Sequence, residues 1–253
     1  MMLHVAPLSA CLYLALITSV AAVNVQEGVD LLRANKFVDS NAIFYQATKE
    51  GSAEAMYYLG QSYVRGRGIE KNPEAGLQLL LRAYELPSKF KGKAAYELGR
   101  IFQVIASHRD YKKAHDWFWA SLESGYGKAH VQLFELYDRG LGVKANQKQA
   151  LYHLKHGAQL GYPQSMLAYA RRLANGNYGQ ADQREIDGWT AKAIKVLERQ
   201  ARRGSATACV RLGKTYIAGD LVEVDEDKAR KWFKKGRKLG SALAKRYLKI
   251  IGD

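Results

Sequence analysis

Residues 53–68 read AEAMYYLGQSYVRGRG, and this stretch decides the fold. Small and apolar side chains recur every four positions, at Ala55, Leu59 and Tyr63. That interval places them on one stripe of an α-helix. Gly66 follows the stripe, and glycine tolerates the left-handed conformation that commonly ends a helix. The stretch therefore predicts an amphipathic helix that stops at a glycine turn.

The same pattern recurs along the chain. An alanine is followed eleven residues later by a glycine in four units, and successive alanines lie 36, 43 and 36 residues apart. These pairs are Ala114/Gly125, Ala150/Gly161, Ala193/Gly204 and Ala229/Gly240. In three of the units Asp110, Asn146 or Asp225 lies four residues before the alanine, as expected of the N-cap of a second helix. Self-similarity at this interval predicts stacked helix pairs and an all-α fold.

Composition and charge exclude several classes of protein. Hydrophobic residues make up 47% of the 253 residues, which is too many for an intrinsically disordered chain. The chain has 39 Lys and Arg against 24 Asp and Glu, a net charge of +15. Residues 191–253 hold 17 basic and 7 acidic side chains, so they carry +10 of that charge. We therefore expect any anionic partner to contact the C-terminal quarter.

The N-terminus has the pattern of a targeting segment. Residues 8–23 carry no charge and end in the small residues of SVAAV. We interpret residues 1–23 as a secretory signal peptide, with a periplasmic or secreted mature protein. Two alternatives stay open. One is an uncleaved anchor, and the other is lipidation at Cys11 in a lipoprotein-like box that begins at Leu8.

The motif A-x-x-x-L-G-x-x-Y-x-x-G-x-G, followed by Asp or Asn, A-x-x-W and a closing glycine, resembles the Sel1-like repeat, a relative of the tetratricopeptide repeat. The best matches are residues 53–68, 129–143 and 208–240. The resemblance implies a right-handed α-solenoid over residues 24–251. Its helix pairs would span residues 52–90, 91–126, 127–162, 163–205 and 206–240, with capping helices at 24–51 and 241–251.

The resemblance also implies a function. Such proteins are mostly non-enzymatic adaptors, whose first helices line a concave face and bind partner proteins. By analogy we expect an exported scaffold for a bacterial envelope, polysaccharide-export or motility complex. The candidate protein-binding residues are Glu54, Tyr57, Gln61, Arg65, Lys93, Tyr96, Arg100, Lys128, Glu135, Arg139, Arg171 and Lys214.

A basic segment near the C-terminus supports an alternative function. Its side chains are Lys228, Arg230, Lys231, Lys234, Lys235, Arg237 and Lys238. They could bind an anionic polymer, either an acidic polysaccharide or lipid head groups. Nucleic acid is not an expected partner of an exported chain. A membrane contact is expected only through an uncleaved or lipidated N-terminus.

The sequence holds little that predicts catalysis. His153 and His156 could share a helix face, but a zinc site needs a third protein ligand. We interpret His153 as a core or surface residue in the slot that Trp117 and Trp232 occupy in other units. Those two tryptophans are predicted to be core anchors. Cys209 is predicted to be a small buried hydrophobe. We expect no enzyme activity, no cofactor and no metal.

Overall fold

The computed structural model describes residues 23–176 and 182–252, and over these ranges the chain is helical with no β-strand. The signal-peptide interpretation therefore falls outside the described residues, apart from Val23. The described helices are α1 (Val25–Arg33), α2 (Phe37–Lys49), α3 (Ala53–Arg65), α4 (Pro73–Glu85), α5 (Lys91–Val104), α6 (Tyr111–Glu123), α7 (Ala129–Arg139), α8 (Gln147–Gln159), α9 (Pro163–Ala174), α10 (Gln183–Arg202), α11 (Ala206–Ala218), α12 (Glu226–Lys238) and α13 (Ala242–Ile251). The prediction of an all-α fold of repeated helix pairs is confirmed.

The chain forms two compact units, which divide within α5 between Glu97 and Leu98. In the N-terminal unit α1 packs on α2 and α3 packs on α4. In the C-terminal unit the packed pairs are α7 with α8, α9 with α10 and α11 with α12. We call α3, α5, α7, α9 and α11 the first helices, and α4, α6, α8, α10 and α12 the second helices.

Caps and glycine turns fix where the helices begin and end. The side chains of Asn146 and Asp225 accept hydrogen bonds from the backbone N–H of Gln149 (3.1 Å) and Lys228 (2.8 Å), three residues into the second helices. These bonds satisfy N–H groups that the first turn of a helix leaves open. At the other end of a first helix, Gly140 ends α7 with a φ of 66°, in the left-handed region. The sequence predicted the caps at these positions, and Gly140 takes the place of Gly66 in the repeat motif, where a glycine turn was predicted.

The core anchor of each second helix lies one residue beyond the predicted position. Phe118 and Phe233 are fully buried, whereas Trp117 and Trp232 are only partly buried. The prediction that the two tryptophans are the core anchors is therefore wrong. The reason is the close approach of the first helix: a Cβ added to Gly213 would lie 2.6 Å from the Phe233 ring. The equivalent anchors are Leu80 on α4, Leu154 on α8 and Leu197 on α10, all at most 1% exposed, and Phe44 on α2 is buried to the same degree.

The last described helix, α13, packs on α12. Ala244 and Leu248 on α13 are buried and pack in one cluster with Phe233 and Val210. Cys209 on α11 is a free, fully buried thiol, and burial raises its pKa. The prediction of a small buried hydrophobe at this position is confirmed. No helix in the described part of the chain is both long and apolar enough to cross a membrane.

Candidate interaction surfaces

In the N-terminal unit, three predicted protein-binding residues contact one another rather than lying free. The Gln61 amide nitrogen lies 2.7 Å from the Tyr57 hydroxyl and donates to Glu97 Oε1 at 2.8 Å. Arg65 donates to both carboxylate oxygens of Glu97 at 3.0 Å. Both bonds come from one guanidinium nitrogen, so the contact is a charge-assisted hydrogen bond that the two carboxylate oxygens share. The network ties α3 to the first half of α5, and sequence reasoning did not find its acidic member, Glu97.

The other predicted residues of this unit differ in exposure. Tyr96 is 4% exposed and Tyr57 is 8% exposed, so their side chains leave little surface for a partner. Glu54 is half-buried near Tyr58, where burial first and then the carboxylate raise the pKa of the phenol. The Lys93 ammonium lies 4.5 Å above the Phe90 ring. Glu54 and Lys93 are partly exposed, and Arg65 is exposed although it pairs with Glu97.

In the C-terminal unit, a similar network joins α5 to α7. Gln103 donates to one carboxylate oxygen of Glu135 at 3.2 Å, and Arg139 donates to the other at 2.9 Å. Arg100 and Lys128 are partly exposed. The structure thus brings the predicted Glu135 and Arg139 together on one face and leaves Arg100 on the neighbouring helix.

Ion pairs also link α7, α9 and the turn after α11. Arg172 donates to Asp138 at 2.6 Å, and its guanidinium lies 5.6 Å from the Phe134 ring. The predicted Arg171 forms an ion pair with Asp220. Lys214 is exposed, and its ammonium lies 5.9 Å from the Tyr247 ring. Arg171 and Arg172 are therefore paired with acidic residues, and an acidic partner has to compete with Asp220 and Asp138 for them.

A histidine cluster, which the sequence analysis did not find, joins α6, α7 and α8. It comprises His115, His130, His153 and His156. His153 is fully buried, and its Nδ1 lies 2.9 Å from Nδ1 of His130, so one ring donates and the other accepts. The other ring nitrogen of His153, Nε2, has no hydrogen-bond partner among the described residues. The interpretation of His153 as a core residue agrees with this burial.

Aromatic rings surround the histidine cluster. The Tyr137 ring stacks on His153 with centroids 5.5 Å apart, and the Trp119 ring meets His153 edge-on at 5.2 Å. The Tyr137 hydroxyl and the Trp119 N–H both contact Nε2 of His115, each at 3.0 Å. His156 stacks near His130 at 5.5 Å. The cluster is thus a polar core that three helices share.

Burial keeps the two central histidines neutral. Desolvation, then the neighbouring imidazoles, lower the pKa of His153 to about 3. Desolvation, then His156, lower the pKa of His130 to about 4. No group of three or more His, Cys, Asp and Glu residues in the described ranges is arranged to hold a metal ion. The arrangement can therefore act as a hydrogen-bonded core whose protonation is costly.

The predicted basic segment lies on α12 and is only partly neutralised. Lys228 pairs with Asp225 at 2.8 Å, and Arg230 pairs with Asp227 at 2.9 Å. Arg230 also donates to the carbonyl of Gly252, so it ties α12 to the end of α13. Four further lysines have no acidic partner in the part of the chain that the structure describes: Lys231, Lys234, Lys235 and Lys238. Arg237 is exposed on the same helix.

Comparisons with known proteins identify Sel1 repeats in the chain. A family model for the Sel1 repeat matches residues 53–88, 127–162 and 206–241. Chitin synthase regulatory factor 3 of Schizosaccharomyces pombe is 25% identical over 212 residues, which are 82% of this chain and 22% of that protein. The chain therefore spans about a fifth of the length of this curated relative.

Solved structures show the same fold. A Sel1 repeat protein from Oxalobacter formigenes aligns with a TM-score of 0.59 and 24% identity, over 90% of this chain and 89% of its own. The protective antigen c5321 of uropathogenic Escherichia coli aligns with a TM-score of 0.57 and 24% identity, over 90% and 49%. The immunity protein Pa5087 of Pseudomonas aeruginosa aligns with a TM-score of 0.54 and 15% identity, over 88% and 89%. The matched repeats coincide with the pairs α3–α4, α7–α8 and α11–α12, so the chain carries three Sel1 repeats, and the solved structures that it resembles include Sel1 repeat proteins.

Proposed function

We propose that this chain is a non-enzymatic scaffold that binds partner proteins through the exposed surface of its first helices. The observation that carries the proposal is the set of three Sel1 repeats in phase with the helix pairs. Sel1-repeat folds are typical of interaction scaffolds without catalysis. Such an array offers an extended surface that several side chains of a partner can contact at once.

The first-helix surface of the C-terminal unit supports this proposal. Arg100 is partly exposed on α5, and Val104 on the same helix is 46% exposed. Val131 on α7 is partly exposed and Lys214 on α11 is exposed. Arginine is enriched at binding hot spots, because one side chain supplies both hydrogen bonds and apolar contact. We propose that these residues contact the partner.

The ion pairs of the same surface would also favour binding. Arg139 is held by Glu135, and Arg171 is held by Asp220. A side chain that is already ordered loses less conformational entropy when a partner binds. The paired arginines therefore present a fixed arrangement of donors, although a partner carboxylate must share them with Glu135 and Asp220.

We further propose that the scaffold is exported and works in a periplasmic or secreted complex, such as one for envelope assembly, polysaccharide export or motility. The support is the uncharged run of residues 8–23, which ends in small residues. Mass spectrometry of the protein from its native cells tests this step. A mature N-terminus near residues 21–23 is expected, and an intact Met1 would contradict cleavage.

Site-specific photo-crosslinking tests the binding surface. A photoreactive residue is introduced in living cells at Arg100, Val131 or Lys214, and at the matched control positions Lys148 and Lys155 on the exposed side of α8. We expect one shared crosslinked partner from the first-helix positions and none from α8. Equal crosslinking at both sets, or none at the first helices, would contradict the proposal.

A further inference from the structure

Four basic positions on α10 recur on α12 at an offset of 36 residues, the same interval that separates the core anchors Leu197 and Phe233. We call these two sets the basic stripes. The pairs are Lys192/Lys228, Lys195/Lys231, Arg199/Lys235 and Arg202/Lys238.

Each basic stripe lies on one side of its helix. The four positions are spaced i, i+3, i+7 and i+10, which puts them within about 80° of the helix circumference and along roughly 15 Å of its axis. Two shallow surface depressions are lined by equivalent residues of the two stripes. One is lined by Lys195, Val196, Arg199 and Arg202, and the other by their counterparts Lys231, Trp232, Lys235 and Lys238, each with further neighbours.

The repeat itself does not require basic residues at these positions. The equivalent residues of α8, placed by the anchor Leu154, are Gln149, Tyr152, His156 and Gln159. Those of α6, placed by Phe118, are Lys113, Asp116, Ala120 and Glu123. The basic stripes are therefore a property of the last two second helices and not of the helix pair as such.

Most of the stripe charge is not neutralised. Within residues 23–176 and 182–252, only Arg202, which pairs with Glu198, and Lys228, which pairs with Asp225, have an acidic partner. Cations in a last helical turn are favoured by the helix dipole. That effect accounts for the ends of the stripes but not for Lys192, Lys195 or Lys231, which lie before the last turn. These uncompensated charges point to an anionic ligand.

We propose that the basic stripes of α10 and α12 together bind an acidic polysaccharide. The inference goes beyond the scaffold function, because it concerns the second helices and a different class of partner. Acidic sugars in a linear polymer carry anionic groups at regular intervals. Two rows of equivalent cations on consecutive repeats would bind successive groups of one polymer by charge pairing.

Exposure of the neighbouring side chains favours a polysaccharide over a lipid bilayer. None of the strongly exposed large apolar side chains in the described ranges lies on α10 or α12. A helix that lies in a membrane interface buries an apolar face there. The nearest strongly exposed apolar side chains, Val224 and Leu239, lie just outside the ends of α12 and do not form a face along its stripe.

The aromatic rings beside the stripes favour a polysaccharide over single-stranded nucleic acid. Trp189 and Trp232 are only partly exposed, and the ammonium groups of Lys192 and Lys235 lie above them at 4.9 and 5.8 Å. Proteins that bind single strands without sequence preference offer aromatic faces on which bases stack. Lysines occupy these faces here.

Binding to polygalacturonate, which carries one carboxylate per sugar, tests the proposal. We expect measurable affinity at low salt that falls steeply as salt rises, and no affinity for uncharged dextran. The variant K231Q/K235Q/K238Q, and its counterpart K195Q/R199Q/R202Q, should each lower the affinity about tenfold. Each should also reduce the salt dependence by about two to three released ions. Circular dichroism checks that the variants fold.

The control variant K144Q/K148Q/K155Q removes three exposed lysines near and on α8, outside the stripes. It should lower affinity less than about twofold, because exposed charges off the contact act weakly through salt. An equal loss in the control, or no binding by the wild-type chain at low salt, overturns the proposal. So does tighter binding to anionic lipid vesicles or to DNA than to polygalacturonate. Crosslinking through the first helices is a separate readout, so failure of either function is distinguishable from failure of the other.

Discussion

The second helices α8 and α12 occupy the same place in their repeats but use it differently. Leu154 and Phe233, 79 residues apart, are both buried anchors. The preceding residue is a fully buried His153 in α8 and a partly exposed Trp232 in α12. Further out, α8 carries Tyr152 where α12 carries Lys231. The repeat thus requires one buried apolar side chain in each of these helices. The positions around it carry hydrogen-bonded rings in α8 and solvated charged side chains in α12.

The largest expected effect on stability is at the buried anchor position, which α8 and α12 both have. Phe233→Ala and Leu154→Ala should each lower the free energy of unfolding by about 2–5 kcal/mol, because each removes a buried side chain and leaves a cavity. Trp232→Ala, at a partly exposed position, should cost less than Phe233→Ala. Urea unfolding of the three variants measures this order. A greater loss for Trp232→Ala would show that the tryptophan is the anchor after all.

The second expected effect is a pH dependence of stability, which distinguishes α8 from α12 because only α8 contributes a buried imidazole. The pKa values of His153 (about 3) and His130 (about 4) lie below the usual 6.5, so the unfolded chain takes up protons first as pH falls. Their destabilising effect is absent above pH 6.5 and grows as pH falls towards 4 and 3. Two pH units below 6.5, each of these histidines contributes up to about 2.7 kcal/mol. Urea unfolding at pH 7.5 and 4.5 should therefore show a loss of roughly 3–5 kcal/mol from this pair, the lower figure allowing for solvent screening at the partly exposed His130.

A variant isolates that loss from the titration of carboxylates. His153→Leu should leave stability at pH 7.5 within about 1 kcal/mol, since it removes both a hydrogen bond and an unpaired buried nitrogen. It should also remove more than half of the histidine contribution at pH 4.5. His108→Gln, at a position outside the cluster, is the control. The same pH dependence in wild type and His153→Leu would mean that the buried imidazoles do not govern it.

Some of this contrast could be predicted from the sequence and some could not. Helix caps and glycine turns are local, so Asn146 and Gly140 were assigned correctly from their spacing. The anchor was misplaced by one residue because Trp232 and Phe233 are both apolar and only the approach of Gly213 distinguishes them.

Long-range packing accounts for what the sequence did not predict. His130 and His153 are 23 residues apart and meet only because α7 packs on α8. The basic residues of α12 are close together in sequence, so the sequence alone identifies them as a basic segment. The basic residues of α10, such as Lys195, are spread along a 20-residue helix. Their correspondence to the basic residues of α12 becomes visible only when the two helices are aligned on their buried anchors.

The third expected effect is a loss of stability when the N-cap residues of α8 and α12 are removed. Asn146→Ala should destabilise α8 by about 1 kcal/mol, because the N–H of Gln149 loses its acceptor. Asp225→Ala should cost more than Asn146→Ala at low salt, since Asp225 also pairs with Lys228 and places a negative charge at the positive end of the α12 dipole. Hydrogen bonds from Lys228 lower the pKa of Asp225, so this difference should persist below the ordinary carboxyl range.

Thermal unfolding at low and high salt distinguishes the two caps. The cost of Asn146→Ala should be independent of salt, and the excess cost of Asp225→Ala should shrink as salt screens the charge. An excess that persists in high salt would mean that the hydrogen bond alone, and not the charge, holds the start of α12.

The smallest expected effect comes from the transfer of α12 chemistry onto α8. Tyr152→Lys with His156→Lys places basic residues at the positions that match Lys195 and Arg199 on α10. Tyr152 is 48% exposed and His156 contacts its ring at 4.0 Å, so the change removes an outer contact and leaves the buried His153 in place. If the stripes bind along consecutive repeats, a third partial stripe should raise affinity for polygalacturonate about threefold at low salt.

The matched variant Tyr152→Gln with His156→Gln loses the same ring contact without the added charge. Because that variant should leave affinity unchanged, an equal change in the two variants would show that α8 is not in register with the stripes of α10 and α12.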